Sequence, residues 1–297
     1  YLFIILYTML AGLVSVAYTD VANGIIILIS FVIAIPIFLV KAGGFEGMAI
    51  SFAEMGKNDH MNFWGVYSGM DIINFCLPSF LLIMGDANMY QRFFASKDAK
   101  SAKSATKTLI VAVLIAELMI IVAAWIASSM IPDAEVGKYV LIYASHEFLP
   151  PFIGAIMMTT IVGIIISTAD SYLLVPTTTL MRDIYLNYFN KNADQAKIVF
   201  LSRVLVIILG IIAYAVSLGF AKSAGFFERA LYAYTIYGAA ITPSLVAALF
   251  WKQATKEGAI TSILVGTLTT LLWKESSFIM NIVPDEIYGS MDEVLPA

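Results

Sequence analysis

The sequence predicts an all-α, polytopic membrane protein, and two observations carry that prediction. Hydrophobic residues make up 60% of the 297 residues and charged residues only 13%, whereas a soluble domain carries about 25% charged residues. Several apolar stretches also reach the roughly 20 residues that a helix needs to cross the hydrocarbon core of a bilayer. Because lipid offers the backbone no hydrogen-bond partner, each of these stretches is expected to be helical.

About seven full spans and one partial span are expected from apolar runs bounded by charged residues. The partial span covers residues 1–14. The full spans lie near residues 21–40, 64–89, 108–131, 150–178, 198–220, 230–251 and 257–273. Since no repeat or low-complexity linker divides the chain, we expect a single transmembrane domain over residues 1–297.

The distribution of lysine and arginine predicts which linkers face the cytoplasm, because cytoplasmic loops carry an excess of both. If the spans alternate, one set of linkers and adjoining span ends holds eleven basic residues and the other holds six. The richer set contains loops 91–107, 182–197 and 252–256, which we assign to the cytoplasm. The expected location is the plasma membrane, or the inner membrane of a Gram-negative bacterium.

On the opposite side, we expect plain external loops at residues 41–62 and 274–297, and a short interfacial helix near residues 137–148.

Several classes of function are disfavoured. The net charge of −4 is spread over loops, which suggests no nucleic-acid partner. His60 and His146 lack ligand-spaced partners and Cys76 stands alone, so neither a transition-metal site nor a catalytic residue is assigned.

Oxygen-bearing side chains are concentrated in the middle of the 150–178 stretch. They are Ser167, Thr168, Asp170 and Ser171. On a helix, Ser167, Asp170 and Ser171 are related as i, i+3 and i+4, which places them on one face. Together with a backbone carbonyl such as that of Ile164, these groups could supply half of a sodium site, because alkali cations take oxygen ligands.

A purely structural role for the same segment stays open. Serine and threonine hydroxyls can donate to the carbonyl one helical turn earlier, without binding any ion. Asp170 could likewise pair with a cytoplasmic base such as Arg182.

Asp20 and Asp86 stand at the ends of other spans. Asp20 precedes the 21–40 span, where it could act as a helix N-cap. Asp86 and Asn88 follow Gly85, and this polar pair indicates either a broken helix, which transporters use to build substrate sites, or a helix that simply reaches the interface.

Tyrosines recur in the 230–251 span, at Tyr232, Tyr234 and Tyr237. They could line a permeation path, or they could form an interfacial aromatic belt.

Four separated signatures resemble the sodium:solute symporter family, which includes sodium/glucose, sodium/proline and sodium/sialic acid transporters. They are Tyr7-Thr8 through Gly12-Leu13 to Thr19-Asp20; Gln91-Arg92 with Ala95-Ser96-Lys97-Asp98; Ile166-Ser167-Thr168-Ala169-Asp170-Ser171 with Arg182-Asp183-Ile184-Tyr185; and Phe250-Trp251-Lys252 with Gly258-Ala259. The resemblance implies the inverted-repeat fold shared with the leucine transporter. It also implies an internal fragment, incomplete at both ends, without the helices before Tyr1 and after Ala297.

The resemblance implies Na⁺ as the coupled ion. Ser167, Thr168 and the carbonyl of Ile164 match the second half of the family's common sodium site. Asp20, Ser167, Asp170 and Ser171 match a second cation site found in relatives that resemble sialic acid transporters. An aspartate at position 170, where such relatives carry a hydroxyl, could strengthen cation binding or hold a proton.

The solute is less well specified by the resemblance. Leu231 stands where glucose transporters have a sugar-contacting glutamine, so a sugar is disfavoured. The segment Gly85-Asp86-Ala87-Asn88 replaces the Gly-Gln-Pro-His pattern of proline transporters, so proline is not supported either. Asp86, Asn88 and Tyr234 are the expected contacts to a small organic solute, whose uptake sodium would drive.

Two alternative functions are considered beside symport. An intramembrane aspartyl protease would use paired aspartates such as Asp20 and Asp86, but Thr19 separates Tyr18 from Asp20 and Ile83 stands where a GxGD motif requires glycine. A symporter-like module could instead belong to a sensor that carries a signalling domain elsewhere.

Overall fold

A computed structural model describes residues 1–133, 137, 139–220 and 226–275, and these residues contain helices but no β-strand. The α-helices are α1 (Leu2–Lys41), α2 (Gly44–Glu54), α3 (Gly69–Gly85), α4 (Ala87–Phe94), α5 (Ala99–Ser128), α6 (Val140–Glu147), α7 (Pro151–Thr179), α8 (Gln195–Phe220), α9 (Phe226–Ala240), α10 (Thr242–Phe250) and α11 (Lys256–Glu275). A 3₁₀ helix covers Asn58–Met61, and a π-helical stretch, Leu180–Phe189, continues α7.

Within the described part of the chain, six helical segments are long and apolar enough to cross a membrane, so the predicted all-α polytopic class is confirmed. They are Ser15–Lys41, Gly69–Phe94, Ala99–Ser128, Pro151–Phe189, Gln195–Gly219 and Ala230–Phe250. Only 11–28% of each apolar window is buried within the protein, so most of these side chains face outward, as a lipid environment requires. The span predicted near 257–273 forms α11, whose threonines and terminal charges leave it less apolar than the six.

The predicted plain loop at 41–62 is wrong, because α2 and the 3₁₀ helix form there. Met48 and Phe52 on α2 are fully buried, and that burial stabilises a helix in a segment that looks polar in sequence. The helix predicted near 137–148 forms as α6. The predicted external loop 274–297 lies, beyond residue 275, outside the described residues.

The chain divides into two compact units. Unit 1 contains Tyr1–Phe63 and Arg92–Ala221, and unit 2 contains Trp64–Gln91 and the described residues of Lys222–Ala297. In unit 1, α1 packs against α5, α7 and α8. Its core lies where the second half of α1 meets α2, α5, α6 and α7, and includes Phe31, Phe38, Phe52, Ile126 and Met157.

Unit 2 is built on close contact between α3 and α9, with α10 and α11 packed beside them. A Cβ atom added to Gly238 would lie 2.8 Å from the Cβ of Leu81. One added to Gly85 would lie 2.3 Å from Oγ1 of Thr242. Small residues at such crossings let helix backbones approach closely, which is a main source of helix association in lipid.

Helix α1 is interrupted at Gly12, where the backbone has φ 69° and ψ 171°. This region of conformational space is essentially restricted to glycine. The interruption separates the partial span predicted at 1–14 from the next span, and the Tyr7 hydroxyl bridges it by donating to Thr19 Oγ1 at 2.8 Å. Because the second helical segment begins after Gly12, Asp20 lies inside a helix, and its interpretation as an N-cap is wrong.

A carboxylate cap begins α5. Asp98 accepts a hydrogen bond from the backbone N–H of Ser101 at 2.7 Å. That bond holds the pKa of Asp98 below its ordinary value. The cap is therefore an ionised carboxylate at neutral pH, where its charge also suits the positive end of the helix dipole.

We expect Gly12→Ala to lower the thermal unfolding temperature of the protein in detergent, because an L side chain at this backbone conformation costs about 1–3 kcal/mol. Gly24→Ala is the matched control. Gly24 lies within the same helix, a Cβ there meets nothing within 4 Å, and alanine is favoured over glycine in a helix by up to about 1 kcal/mol. Equal shifts for the two variants would contradict the strained position of Gly12.

Candidate functional site

Helices α1 and α7 are joined by polar side chains along their contact. Ser30 Oγ and Thr160 Oγ1 lie 2.7 Å apart, and both residues are buried. Closer to the start of α1, Asn23 Nδ2 donates to the carbonyl oxygen of Gly163 at 3.4 Å. Residue numbers fall along α1 as they rise along α7, so the two helices run antiparallel.

The next polar contact along this pair is a cluster of four side chains, which we call the Asp20 cluster: Asp20, Arg92, Ser167 and Ser171. Ser167 Oγ donates to Asp20 Oδ1 at 2.5 Å. Arg92 Nη2 donates to Asp20 Oδ2 at 2.8 Å and to Ser171 Oγ at 2.9 Å. The structure thus brings together three residues of the predicted second cation site and links them through an arginine in the order Ser167, Asp20, Arg92, Ser171.

Asp170, the fourth residue of that predicted site, lies on α7 beside the cluster and is only 1% exposed. Among the described residues, neither of its carboxylate oxygens has a hydrogen-bond partner. Arg182, the base suggested as an alternative partner, is exposed and forms no ion pair with it. A buried carboxyl group without a partner is costly to keep, and it is therefore a candidate ligand for a cation or a proton.

Thr168 and Ile164 form a separate contact on the same helix. The Thr168 hydroxyl donates to the Ile164 carbonyl oxygen at 2.9 Å, one turn earlier, and the threonine side chain is exposed. The two predicted ligands therefore lie next to each other. Ser167 instead reaches across to α1, so neighbouring hydroxyls of this segment serve different partners.

In unit 2, a helix break lies between α3 and α4. Asp86 leaves the helical region with φ −65° and ψ 109°. Its Oδ1 atom accepts from the backbone N–H of Asn88 at 2.9 Å and from the Asn88 side-chain amide at 3.1 Å. Asn88 is buried. Of the two interpretations of Gly85-Asp86-Ala87-Asn88, the broken helix is the one that forms.

Side chains from α4, α9 and α10 bond backbone groups at and near this break. The Ala87 N–H donates to the Tyr237 hydroxyl oxygen at 3.2 Å, and the Tyr90 hydroxyl donates to the Met84 carbonyl at 3.0 Å. The Thr242 hydroxyl donates to the Leu81 carbonyl at 2.6 Å.

Tyr234, the tyrosine expected to contact solute, is half-buried on α9. Tyr237, three residues later on the same helix, is the tyrosine that reaches the break. The sequence does not indicate which of Tyr234 and Tyr237 reaches the break, because both are tyrosines on the same helix.

An apolar groove of about 280 Å³ lies elsewhere in unit 1. Its lining includes Phe31, Ile120, Tyr139 and Ile161, and it also includes the side chain of Ile164. The lining carries no charged side chain, so the groove is not suited to a hydrated ion. The oxygen-rich Asp20 cluster is the better candidate.

Two residues of this region, Arg92 and Asn23, were not predicted as site residues from the sequence. Arg92 was expected as a cytoplasmic base and as part of a family signature, but not as a partner of Asp20. Asn23 was not considered, although an amide in an apolar run signals a buried polar contact. Both residues could have been found by considering every polar residue in and beside the spans, and not only the aspartates.

Comparison with known proteins gives one family and several relatives. The model of the sodium:solute symporter family matches residues 1–266. The osmoregulated proline transporter OpuE of Bacillus subtilis (strain 168) is 26% identical over 304 residues, which cover 98% of this chain and 60% of OpuE. The sodium/proline symporter of Escherichia coli (strain K12) is 23% identical over 312 residues, covering 98% of this chain and 59% of that protein. This chain therefore spans about 60% of the length of these relatives.

We expect Asp20→Asn and Asp170→Asn to shift thermal stability in opposite directions. Asparagine at position 20 removes the charge that Arg92 pairs with, and losing a charge-assisted hydrogen bond costs on the order of 1 kcal/mol at a partly exposed site. Asparagine at position 170 removes an unpartnered buried acid, so the unfolding temperature should rise. Thermal unfolding of both variants in detergent tests this, and a fall for Asp170→Asn as large as that for Asp20→Asn would contradict it.

Proposed function

The chain belongs to the sodium:solute symporter family, and from that membership we propose that it couples sodium entry to the uptake of a small organic solute. Members of the family are transporters and not enzymes. The observation that carries the proposal is the Asp20 cluster, an arrangement of carboxylate and hydroxyl oxygens inside membrane-spanning helices. Such oxygens are the ligands that alkali cations take in place of water.

We assign the common sodium site to Ser167, Thr168 and the carbonyl oxygen of Ile164. The support for this assignment is the match of the segment to the family's sodium-site residues, since the hydrogen bond from Thr168 to that carbonyl is an ordinary contact within the helix. A second cation site is assigned to Asp20, Ser167, Asp170 and Ser171. Its support is the direct contact of Ser167 with Asp20 and the burial of Asp170 beside them.

Sodium supplies the driving force in this scheme. Ion binding stabilises an outward-open state, solute binds near the midplane, and both are released after inward opening. A membrane potential of 100 mV contributes about 2.3 kcal/mol for each charge carried inward, which supports roughly fiftyfold accumulation of solute per ion. A second bound sodium multiplies that factor.

An amino acid is the solute class that the helix break fits best. Asp86 offers a carboxylate to a protonated amino group, while the positive end of the α4 helix dipole favours an anionic group. The relatives named above are proline transporters, which makes proline the first solute to test. Asp86, Asn88 and Tyr234 remain the proposed contacts, and Tyr237 joins them because it touches the break.

The protein is a multi-pass membrane protein. We propose the plasma membrane as its location, with loops 91–107, 182–197 and 252–256 on the cytoplasmic side. The alternatives of an intramembrane protease and of a sensor module find no support among the relatives.

Electrogenic uptake by the full-length protein in proteoliposomes tests ion coupling. We expect solute-evoked current in sodium but not in choline, and we expect Ser167→Ala and Thr168→Ala to abolish it or to raise the half-saturating sodium concentration about tenfold or more. Thr159→Ala is the matched control, since Thr159 is exposed on the same helix and bonds only the carbonyl one turn earlier. Sodium-independent current that survives both site variants would refute the assignment.

Competition for uptake tests the solute class. Labelled proline uptake driven by a sodium gradient should be detected, and Asp86→Asn should weaken it mainly by raising KM, because the lost carboxylate contacts the bound amino group. Uptake of uncharged polyols at rates equal to amino acids, with Asp86→Asn silent for both, would contradict this solute class.

A further inference from the structure

Arg92 occupies an unusual place for a basic side chain. It lies on α4, beyond the helix break at Asp86, and its side chain is only 33% exposed. One nitrogen, Nη2, contacts both Asp20 and Ser171. Two residues that we assign to the second cation site are therefore already in contact with a cation, and that cation belongs to the protein.

We infer that the guanidinium group of Arg92 is a tethered competitor of sodium for Asp20 and Ser171. Sodium binding at this site then requires Arg92 to release the two side chains. The inference rests on the proposed function, because it concerns the same carboxylate. It goes further by giving Arg92 a role in setting ion affinity.

The chemistry of the two cations explains why they exclude each other here. A guanidinium group only donates hydrogen bonds, and it uses the Oδ2 atom of Asp20 and the Oγ atom of Ser171 as acceptors. Sodium needs the lone pairs of the same two oxygens. Two positive charges on one carboxylate also repel strongly where water is scarce.

Release of Arg92 is feasible because the pair is not deeply buried. Asp20 is 24% exposed at its side chain, so the ion pair is partly solvated and only moderately strong. Ser167 holds Asp20 Oδ1 independently of Arg92, so the carboxylate stays in position when the guanidinium leaves. Asp170, buried beside the pair, is a second carboxyl group within reach of an incoming ion.

Sodium-dependent thermal stabilisation of the full-length protein in detergent tests the inference without relying on transport. N-methylglucamine keeps the ionic strength constant while sodium is varied. We expect Arg92→Gln to lower the half-saturating sodium concentration about fivefold, because a competitor has been removed. Arg203→Gln is the control, since it removes the same charge from an exposed position on a membrane-spanning helix.

Added guanidinium chloride at millimolar, non-denaturing concentration separates competition from a merely structural role. In Arg92→Gln it should raise the half-saturating sodium concentration again, whereas in the wild-type protein, where the site is already occupied, it should have little effect. If Arg92→Gln does not fold, Arg92→Lys carries the test. Lysine keeps the charge but loses the forked geometry, so a smaller decrease is expected.

Two outcomes would overturn the inference, and they are distinguishable. If Asp20→Asn weakens sodium stabilisation while Arg92→Gln leaves it unchanged or weakens it, Arg92 is not a competitor and the proposed ion site stands. If Asp20→Asn has no effect on sodium stabilisation, the assignment of a cation site to Asp20 is wrong, and Arg92 cannot compete with sodium there.

Discussion

The carboxylate of Asp20 is the charge around which the membrane-spanning helices of unit 1 are arranged. Asp20 lies within the membrane-spanning segment Ser15–Lys41, where a charged side chain is costly unless the protein supplies partners for it. Ser167 satisfies one oxygen and Arg92 the other. Arg92 is 72 residues away along the chain and Ser167 is 147 residues away. The need to neutralise one charge therefore helps to bring three distant segments together.

Helix partners in a bilayer are selected differently from those in water. Lipid tails are as apolar as leucine, so burying apolar side chains does little to choose one helix over another. In unit 1 the selection comes from polar contacts between α1 and α7, including the buried Ser30–Thr160 pair. In unit 2 it comes from close packing at Gly238 and from the Thr242 hydroxyl on a carbonyl of α3. Both the polar contacts and the close packing leave the apolar side chains of the helices free to face lipid.

The two helix interruptions have different physical origins. At Gly12 the backbone itself takes a conformation that other residues avoid, and the change is local. At Asp86 the backbone angles are ordinary, and the break persists because side chains replace the missing helical hydrogen bonds. The first interruption sets where α1 resumes and hence that Asp20 lies inside a helix. The second places the Asp86 carboxylate at the end of α3, where we propose that a solute binds.

The sequence by itself determined the membrane class, the positions of the spans and the concentration of oxygen ligands around Ser167. These follow from composition and helical period, which are local properties. Only the tertiary structure decided that Ser167 turns toward Asp20, that α2 forms where a loop was predicted, and that Arg92 joins the cluster. Each of those outcomes depends on a partner far along the chain, and hydropathy within one span carries no information about which distant side chain will meet it.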